Sequence, residues 1–176
     1  MRRDDTLEIR RLSTEEVATR LDELASVLHD CVAGGASIGY VDPFDLDDAR
    51  AAFVGFAAEV AAGRRLLVAA LLGGRLVGTV QVALAFPPNQ PHRGEITKLL
   101  VHRDARRRGV AERLMAAAED EARREGKTLL VLDAVSDGDA ARLYARMGWV
   151  TVGVVPDFAL FPDGRPCDTT YFYKRL

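Results

Sequence analysis

The chain is poor in the residues that would tie it to metal, redox or polymer chemistry. Its 176 residues include two cysteines, Cys31 and Cys167, far apart and in no CxxC pair. The three histidines, His29, His92 and His102, are isolated, so zinc spacing is absent and no metal is expected. Neither sign of charge dominates: 24 Lys and Arg against 26 Asp and Glu leave a net charge of −2, which argues against nucleic acid or an anionic membrane as partner. No apolar run approaches the ~20 residues of a spanning helix. The opening Met1-Arg2-Arg3-Asp4-Asp5 lacks the apolar core of a signal peptide, so a cytoplasmic protein is expected. GxGxxG is missing, and no GK[ST] closes a glycine loop at P-loop spacing, which disfavours dinucleotide binding and nucleotide triphosphate hydrolysis. Repeats, low-complexity segments and linkers are missing too. With 48% hydrophobic residues, residues 1–176 are expected to form one domain around one core.

What is present is periodic. Residues 7–12 alternate apolar and polar and predict a strand. Ser13 and Glu16 stand in capping-box positions before a helical face of Val17, Leu21, Leu24, Ala25 and Leu28, which Gly34-Gly35 ends. A second helix follows Pro43 and carries Ala49, Phe53, Phe56, Ala57 and Val60 up to Gly63. Residues 65–72 and 75–84 predict two strands joined at Gly73-Gly74, which supply the positive φ of a tight hairpin turn. Strands over 95–101 and 128–132 flank a helix over 109–125 with Val110, Leu114, Met115, Ala118 and Ala122 on one side. The continuous apolar run 128–132 suits a strand buried on both faces. A short helix over 139–147 and strands over 150–155 and 169–174 complete the chain. The simplest packing is an α+β domain in α/β/α layers, with a βαβ unit over 95–132 at its centre.

That unit holds the most telling stretch. The apolar run Leu99-Leu100-Val101 gives way to a basic turn, Arg106-Arg107-Arg108-Gly109, and a helix begins at once. The first N–H groups of a helix lack partners and its dipole adds positive charge, so the junction is a ready anion site. A local cation cluster in a near-neutral chain suits a small anionic ligand, and a pyrophosphate whose remainder runs back along the strand fits this layout.

Arg106-Arg107-Arg108-Gly109-Val110-Ala111 resembles the R/Q-x-x-G-x-G/A loop of the GNAT superfamily of acyl-CoA-dependent N-acetyltransferases. Leu143-Tyr144-Ala145-Arg146-Met147-Gly148-Trp149 is similar to that family's L-Y-x-x-x-G-F segment, and the order of elements agrees from residue 7 to the end. Three stretches are similar to the tabtoxin-resistance acetyltransferases, which detoxify a small β-lactam amino acid. They are Ala36-Ser37-Ile38-Gly39, Lys98-Leu99-Leu100-Val101-His102-Arg103 and the tail from Pro162 to Thr170. The resemblance implies a mixed, mostly antiparallel sheet of about seven strands, with acetyl-CoA as co-substrate. Amides of Arg106, Arg107, Arg108, Gly109, Val110, Ala111 and Glu112 would face the pyrophosphate, and pantetheine would run along Leu99, Leu100 and Val101. It also implies a bulge in that strand, which splays it from 128–132 and opens a slot for the thioester. An N–H near Leu99 or Leu100 would stabilise the oxyanion.

By the same likeness Tyr144 is the acid that protonates the departing thiolate, and Glu95, six residues before Val101, is a candidate base for the attacking amine. Asp42, His92, Asp168 and ordered water are rivals for that role. Tyr40, Asp42 and Phe44, on the connection that usually walls the acceptor pocket, are candidate acceptor contacts with Glu95 and Asp168. Departures from the pattern are Ala111 for the second glycine, Trp149 for Phe, and Asp137 for the CoA-binding Asn seven residues before the Tyr; an ionised Asp accepts but cannot donate. The expected activity is acetyl transfer to a small amine, an amino-acid-like toxin or antibiotic included, by direct attack in a ternary complex. Acetylation of a peptide or protein N-terminus and a silent acetyl-CoA sensor are the alternatives. The expected state is monomer or homodimer.

Overall fold

Short β-branched and apolar runs, each stopped by Gly, Pro or a capping residue, build one seven-stranded sheet with helices on both faces. The computed structural model describes residues 6–84 and 86–176, so the opening Met1-Arg2-Arg3-Asp4-Asp5 lies outside it. In chain order the elements are β1 (Leu7–Arg11), α1 (Thr14–Thr19), α2 (Leu21–Ala33), α3 (Leu46–Ala61), β2 (Arg65–Leu72) and β3 (Arg75–Ala83). Then come β4 (Arg93–Val101), a 3-10 turn (Arg103–Ala105), α4 (Val110–Arg124), β5 (Leu129–Val135), α5 (Asp139–Arg146), β6 (Val150–Leu160) and β7 (Pro166–Arg175). The sheet order is β1-β2-β3-β4-β5-β7-β6, and only the β4–β5 pair is parallel. The mixed, mostly antiparallel sheet and the βαβ unit are therefore as the sequence predicts.

Two apolar layers flank the sheet. Val68, Val80, Ile96, Leu130 and Leu132 meet α4 and α5 on one face; Leu67, Ala69 and Leu100 meet α1, α2 and α3 on the other. All five residues predicted for the inner stripe of α4 are buried. Each large one contributes roughly 1.5–3 kcal/mol by leaving water. The Ser13–Glu16 capping box is formed: Glu16 N donates to Ser13 Oγ, and Ser13 N donates to Glu16 Oε2.

Three expectations need correction, and one buried acid was not anticipated. The first helix is two, parted at Arg20 (φ −108°, ψ 18°), where Thr19 Oγ1 turns back to the carbonyls of Glu15 and Glu16 and competes with the helical ladder. Strand β5 runs on to Val135, and only one of its faces is fully buried: Leu130 and Leu132 are covered, whereas Leu129 and Val131 are half-buried and Asp133 follows them. Strand β6 continues past Pro156 to Leu160 because a register irregularity over 155–159 absorbs the missing N–H. It forms the sheet edge, with Val150, Val152, Val154, Val155, Phe158 and Leu160 exposed. Finally, Glu119 lies among the buried residues of α4. Its carboxylate accepts from Trp149 Nε1 at 3.0 Å and from Lys174 Nζ at 2.7 Å, fastening α4 to the α5–β6 turn and to β7.

Glu119→Ala leaves the indole N–H without an acceptor and Lys174 with the Met147 carbonyl but no counter-ion. Urea denaturation is expected to show a loss of about 3–5 kcal/mol. Glu119→Gln, which still accepts from the indole, should lose less; equal losses would show that the network is not what fastens these elements.

Candidate active site

The site begins with a fault in β4. Gln81 opposes Thr97 and Thr79 opposes Leu100, so β4 carries one residue more than β3 between these pairs. The irregularity centres on Lys98, a non-glycine residue at φ 51°. On its other side β4 pairs with β5 only through Arg93, Gly94 and Glu95, opposite Leu129, Leu130 and Val131. From Ile96 onward the two strands part. The bulge and the splay are both present, and backbone left unpaired inside a sheet is tolerated where a ligand or water satisfies it.

At the foot of the opening lies the basic loop. Buried Asp30 of α2 fixes its start: its carboxylate accepts from Arg103 N at 2.8 Å and from Arg103 Nε. Burial pushes this carboxyl up, but the Arg103 amide and guanidinium outweigh burial and hold it below the ordinary range. His102 belongs to this fastening, with Nε2 3.6 Å from Asp30 and Nδ1 accepting from Asp104 N. Arg106 Nε donates to the carbonyl of Val101 at 3.1 Å, so that carbonyl is engaged within the chain. Arg106, Arg107 and Arg108 are exposed. Gly109 takes φ 72° at the N-cap of α4, and its carbonyl receives Arg113 N. A left-handed φ is what demands glycine here; a Cβ would meet nothing within 4 Å, so the space above is open. No side chain caps α4, and the amides of Arg107, Arg108 and Gly109 bond to no described residue. With the free N–H groups of Val110, Ala111 and Glu112 they form an anion cradle.

Across the loop stands the start of α5. Arg142, and beyond it Arg107 and Arg106, hold the Asp139 carboxyl below its ordinary range. Asp137, at φ 60°, is exposed beside it; its carbonyl accepts from Arg142 Nη1. Tyr144, on the inner side of α5, is 5% exposed and packs against Trp149 and Phe172, with ring centroids 6.0 and 5.7 Å away. Its hydroxyl bonds to no described residue. Burial, reinforced by the charge of Asp133, pushes its phenol far up, so it stays protonated through the working range.

The opposite sheet face gathers a second set. Glu95 is half-buried and touches Arg93 at 3.7 Å. Asp133 stands at the mouth of the splay opposite Tyr171 of β7. Desolvation raises its carboxyl above the usual range, and Lys98 opposes that rise. Lys98 Nζ donates to the Ile38 carbonyl at 2.6 Å and lies 5.2 Å from the Tyr40 ring centroid. Tyr40 in turn stacks on Phe44 at 4.5 Å. Arg65, at the start of β2, donates from Nη1 to Gln81 Oε1 and Thr97 Oγ1 and packs over Phe56.

Of the residues expected to meet the acceptor, Glu95, Tyr40 and Phe44 thus share this face. Asp42 is placed elsewhere: its amide bonds to the Pro162 carbonyl, and it lines a cleft of about 110 Å³ with Phe161, Pro162, Asp163 and Arg165. Asp168 turns its carboxylate to Asp157 N at 3.0 Å and secures the β6–β7 ladder. His92 is exposed, and its carbonyl takes the amides of Thr128 and Leu129. Sequence reasoning missed Asp133, Lys98, Arg65 and Tyr171. The signal for Asp133 was its place two residues after Val131, on the face that alternates with Leu130 and Leu132. Among the described residues no cluster of His, Cys, Asp and Glu could hold a metal ion, and no helix is long and apolar enough to cross a membrane.

A parted β4–β5 pair above an uncapped helix N-terminus defines the class: a fold whose opening suits a long ligand with a phosphate-bearing end. A model of the acetyltransferase (GNAT) family matches residues 20–149, and the chain belongs to this family. Among solved structures, yncA of Salmonella typhimurium, a candidate acetyltransferase holding its cofactor acetyl-CoA, shares 20% identity at a TM-score of 0.79, covering 97% of this chain and 94% of its own. The ribosomal-protein-alanine N-acetyltransferase of Brucella melitensis shares 20% at 0.78, with coverage of 96% and 99%. A candidate phosphinothricin N-acetyltransferase shares 18% at 0.78, with coverage of 97% and 99%.

Gly109→Asp forces a left-handed side chain and a negative charge into the cradle. Calorimetry should then detect no acetyl-CoA binding, while the melting temperature falls by a few degrees. Undiminished affinity would separate the cradle from phosphate recognition.

Proposed function

We propose that the protein moves the acetyl group of acetyl-CoA to the amine of a small molecule, by direct attack in a ternary complex formed within one domain over residues 1–176. The observation that carries this reading is the parting of β4 from β5 beside the uncapped start of α4, with Glu95 at the last paired position and Asp133 at the mouth within electrostatic reach of the buried Tyr144 phenol. The cradle of Arg107 to Glu112 would hold the pyrophosphate, the Arg106 amide being taken by the Arg103 carbonyl, with the turn at Asp137 beside it. The parted edge of Leu99, Leu100 and Val101 would take the pantetheine. Acetyl-CoA supplies an activated acyl group on a thiol; every proton movement falls to the chain.

An alkylammonium has a pKa of ~10, so the acceptor must lose a proton before it attacks. Asp133 and Glu95 face the acceptor side, and Asp133 is the better placed: it stands where the strands part, within electrostatic reach of Tyr144. Its raised pKa makes it a stronger base than a solvated carboxylate, and Lys98 opposes that rise. Tyr144 remains a proton donor for the departing sulfur. Tyr40 and Phe44 wall the acceptor. Likeness to the tabtoxin-resistance enzymes supports an amino-acid-like toxin or antibiotic as acceptor, and the neighbour described as a phosphinothricin acetyltransferase fits this choice.

Thiol release across a panel of amines tests the reading. Tyr144→Phe should lower kcat by roughly 10²-fold with acetyl-CoA affinity unchanged; undiminished kcat would remove Tyr144 as the acid. Binding of acetyl-CoA without acceptor-dependent release would favour the sensor alternative.

The pH profile tests the base. The acceptor's base must be ionised, so the acidic limb of kcat/KM should rise at a pH above the ~3.9 of an ordinary aspartate. Removing the Lys98 charge (Lys98→Met) should push that limb higher still, because the cation holds the carboxyl down. Asp133→Asn should erase the limb, and Glu95→Gln should leave it in place; the reverse result would transfer the role to Glu95.

A further inference from the structure

The acceptor side carries more charge than proton transfer requires. Arg65 and Lys98 are both half-buried, and neither has a carboxylate within ion-pair distance among the described residues. Of the other half-buried cations, Arg10 pairs with Glu8 and Glu16, Arg20 with Glu23, Arg93 with Glu95 and Lys174 with Glu119, and Lys127, far from this site, bonds to the Pro91 carbonyl. The bonds that Arg65 and Lys98 do make go to neutral atoms, namely Gln81 Oε1, Thr97 Oγ1 and the Ile38 carbonyl. The Arg65 Nε donor is buried without a partner, and so is Nε2 of Gln81, a fully buried residue whose carbonyl oxygen already holds Arg65. Unmade bonds on buried donors are costly, and a desolvated cation without a counter-ion more so.

The two cations also repel one another, and burial together with that repulsion lowers the pKa of Lys98. Neutral contacts fix the arrangement. Lys98 is held by the bulge and by Ile38, and Arg65 by Gln81, Thr97 and the Phe56 ring. Facing them are Glu95 and Asp133, the first within electrostatic reach of Arg65 and the second of Lys98; Glu59 acts on Arg65 more strongly than Glu95 does but is already paired with Arg64. Two cations and two anions therefore stand around one opening, held apart by their strands and not paired with each other. A molecule that bears both an amine and an acid complements such a site.

Resting on the acetyl-transfer reading, we propose that the acceptor is an amine that also carries an acid group, a carboxylate or a phosphonate, and that Arg65 and Lys98 hold that group. The ammonium end then lies toward Asp133 and Glu95, where it loses its proton, and the anionic end fixes which nitrogen attacks. Arg65 and Lys98 become the specificity-determining residues. Arg65 offers a planar fork suited to a two-oxygen anion, and Lys98 offers a point charge. A neutral amine of equal size leaves both cations uncompensated and binds more weakly.

The test is equilibrium binding by calorimetry to the protein saturated with desulfo-CoA, a non-reacting stand-in for the co-substrate. The probes are a series of aminoalkanoic acids, the matching aminoalkylphosphonic acids and the matching neutral amides. The best acid-bearing member should bind at least tenfold more tightly than its amide, and the better of the two acid series identifies the anion. In Arg65→Met and in Lys98→Met this preference should shrink to less than threefold through lost affinity for the acid, while the amide still binds. Retained amide affinity shows that the variants fold. No acid-bearing member binding more tightly than its amide, or an undiminished preference in both variants, overturns the proposal. Turnover of the same panel with acetyl-CoA is read separately: acid preference without thiol release would sink the transferase reading, whereas release with equal kcat/KM for acid and amide would sink only the anion subsite.

Discussion

One extra residue in β4 is the constraint from which the rest of the molecule takes its shape. A regular sheet would run β4 against β5 for their full length and leave no opening. With the bulge at Lys98, the strands keep three paired positions and then diverge. The unpaired backbone that results is expensive in a dry interior and makes sense as a binding edge. Everything functional is arranged around that divergence: the cradle below it, the phenol on the helix side, the carboxylates and cations on the acceptor side. The parallel pairing matters equally. It obliges the chain to return through a helix, and that helix begins where β4 ends, so its N-terminus and the parted edge adjoin by topology and not by chance.

Burial sorts the titratable groups by role. Tyr144, deep among Trp149 and Phe172, stays neutral. Asp133, at a mouth open on one side, is charged but strained toward neutrality, with Lys98 opposing. Asp30, buried but saturated with donors from Arg103, is firmly ionised and serves as a structural anchor. Two aspartates of equal intrinsic acidity are thus set on opposite sides of the ordinary value, and a phenol is made weaker still, by donors, neighbours and water that residue type alone does not reveal.

What could be read from the chain was whatever local chemistry decides. The hairpin at Gly73-Gly74, the Ser13–Glu16 box, the buried stripe of α4 and the uncapped loop at Gly109 each carry their instruction within a few residues. What could not be read depends on pairing at a distance. Ending the strand at Leu132 leaves Asp133 in a loop, and only its pairing with Tyr171 carries β5 three residues further. Arg65 resembles a solvated strand start until Gln81 and Thr97 are placed beside it. Asp42 and Asp168 have suitable chemistry, but contacts with the 161–165 turn and with Asp157 direct them elsewhere. Chemical type was legible, whereas direction was set by tertiary neighbours.

The outer edge of the sheet carries a different consequence. Strand β6 is long, mostly apolar and exposed, the kind of border along which foreign strands nucleate. Its hydrogen-bonding rim is nevertheless discontinuous. Pro156 contributes no amide, and the irregularities at 151–153 and 155–159 twist the rim out of line. An incoming strand would find only short interrupted stretches to copy, so the same local faults that let β6 follow β7 also protect the protein from templated aggregation at its most adhesive border.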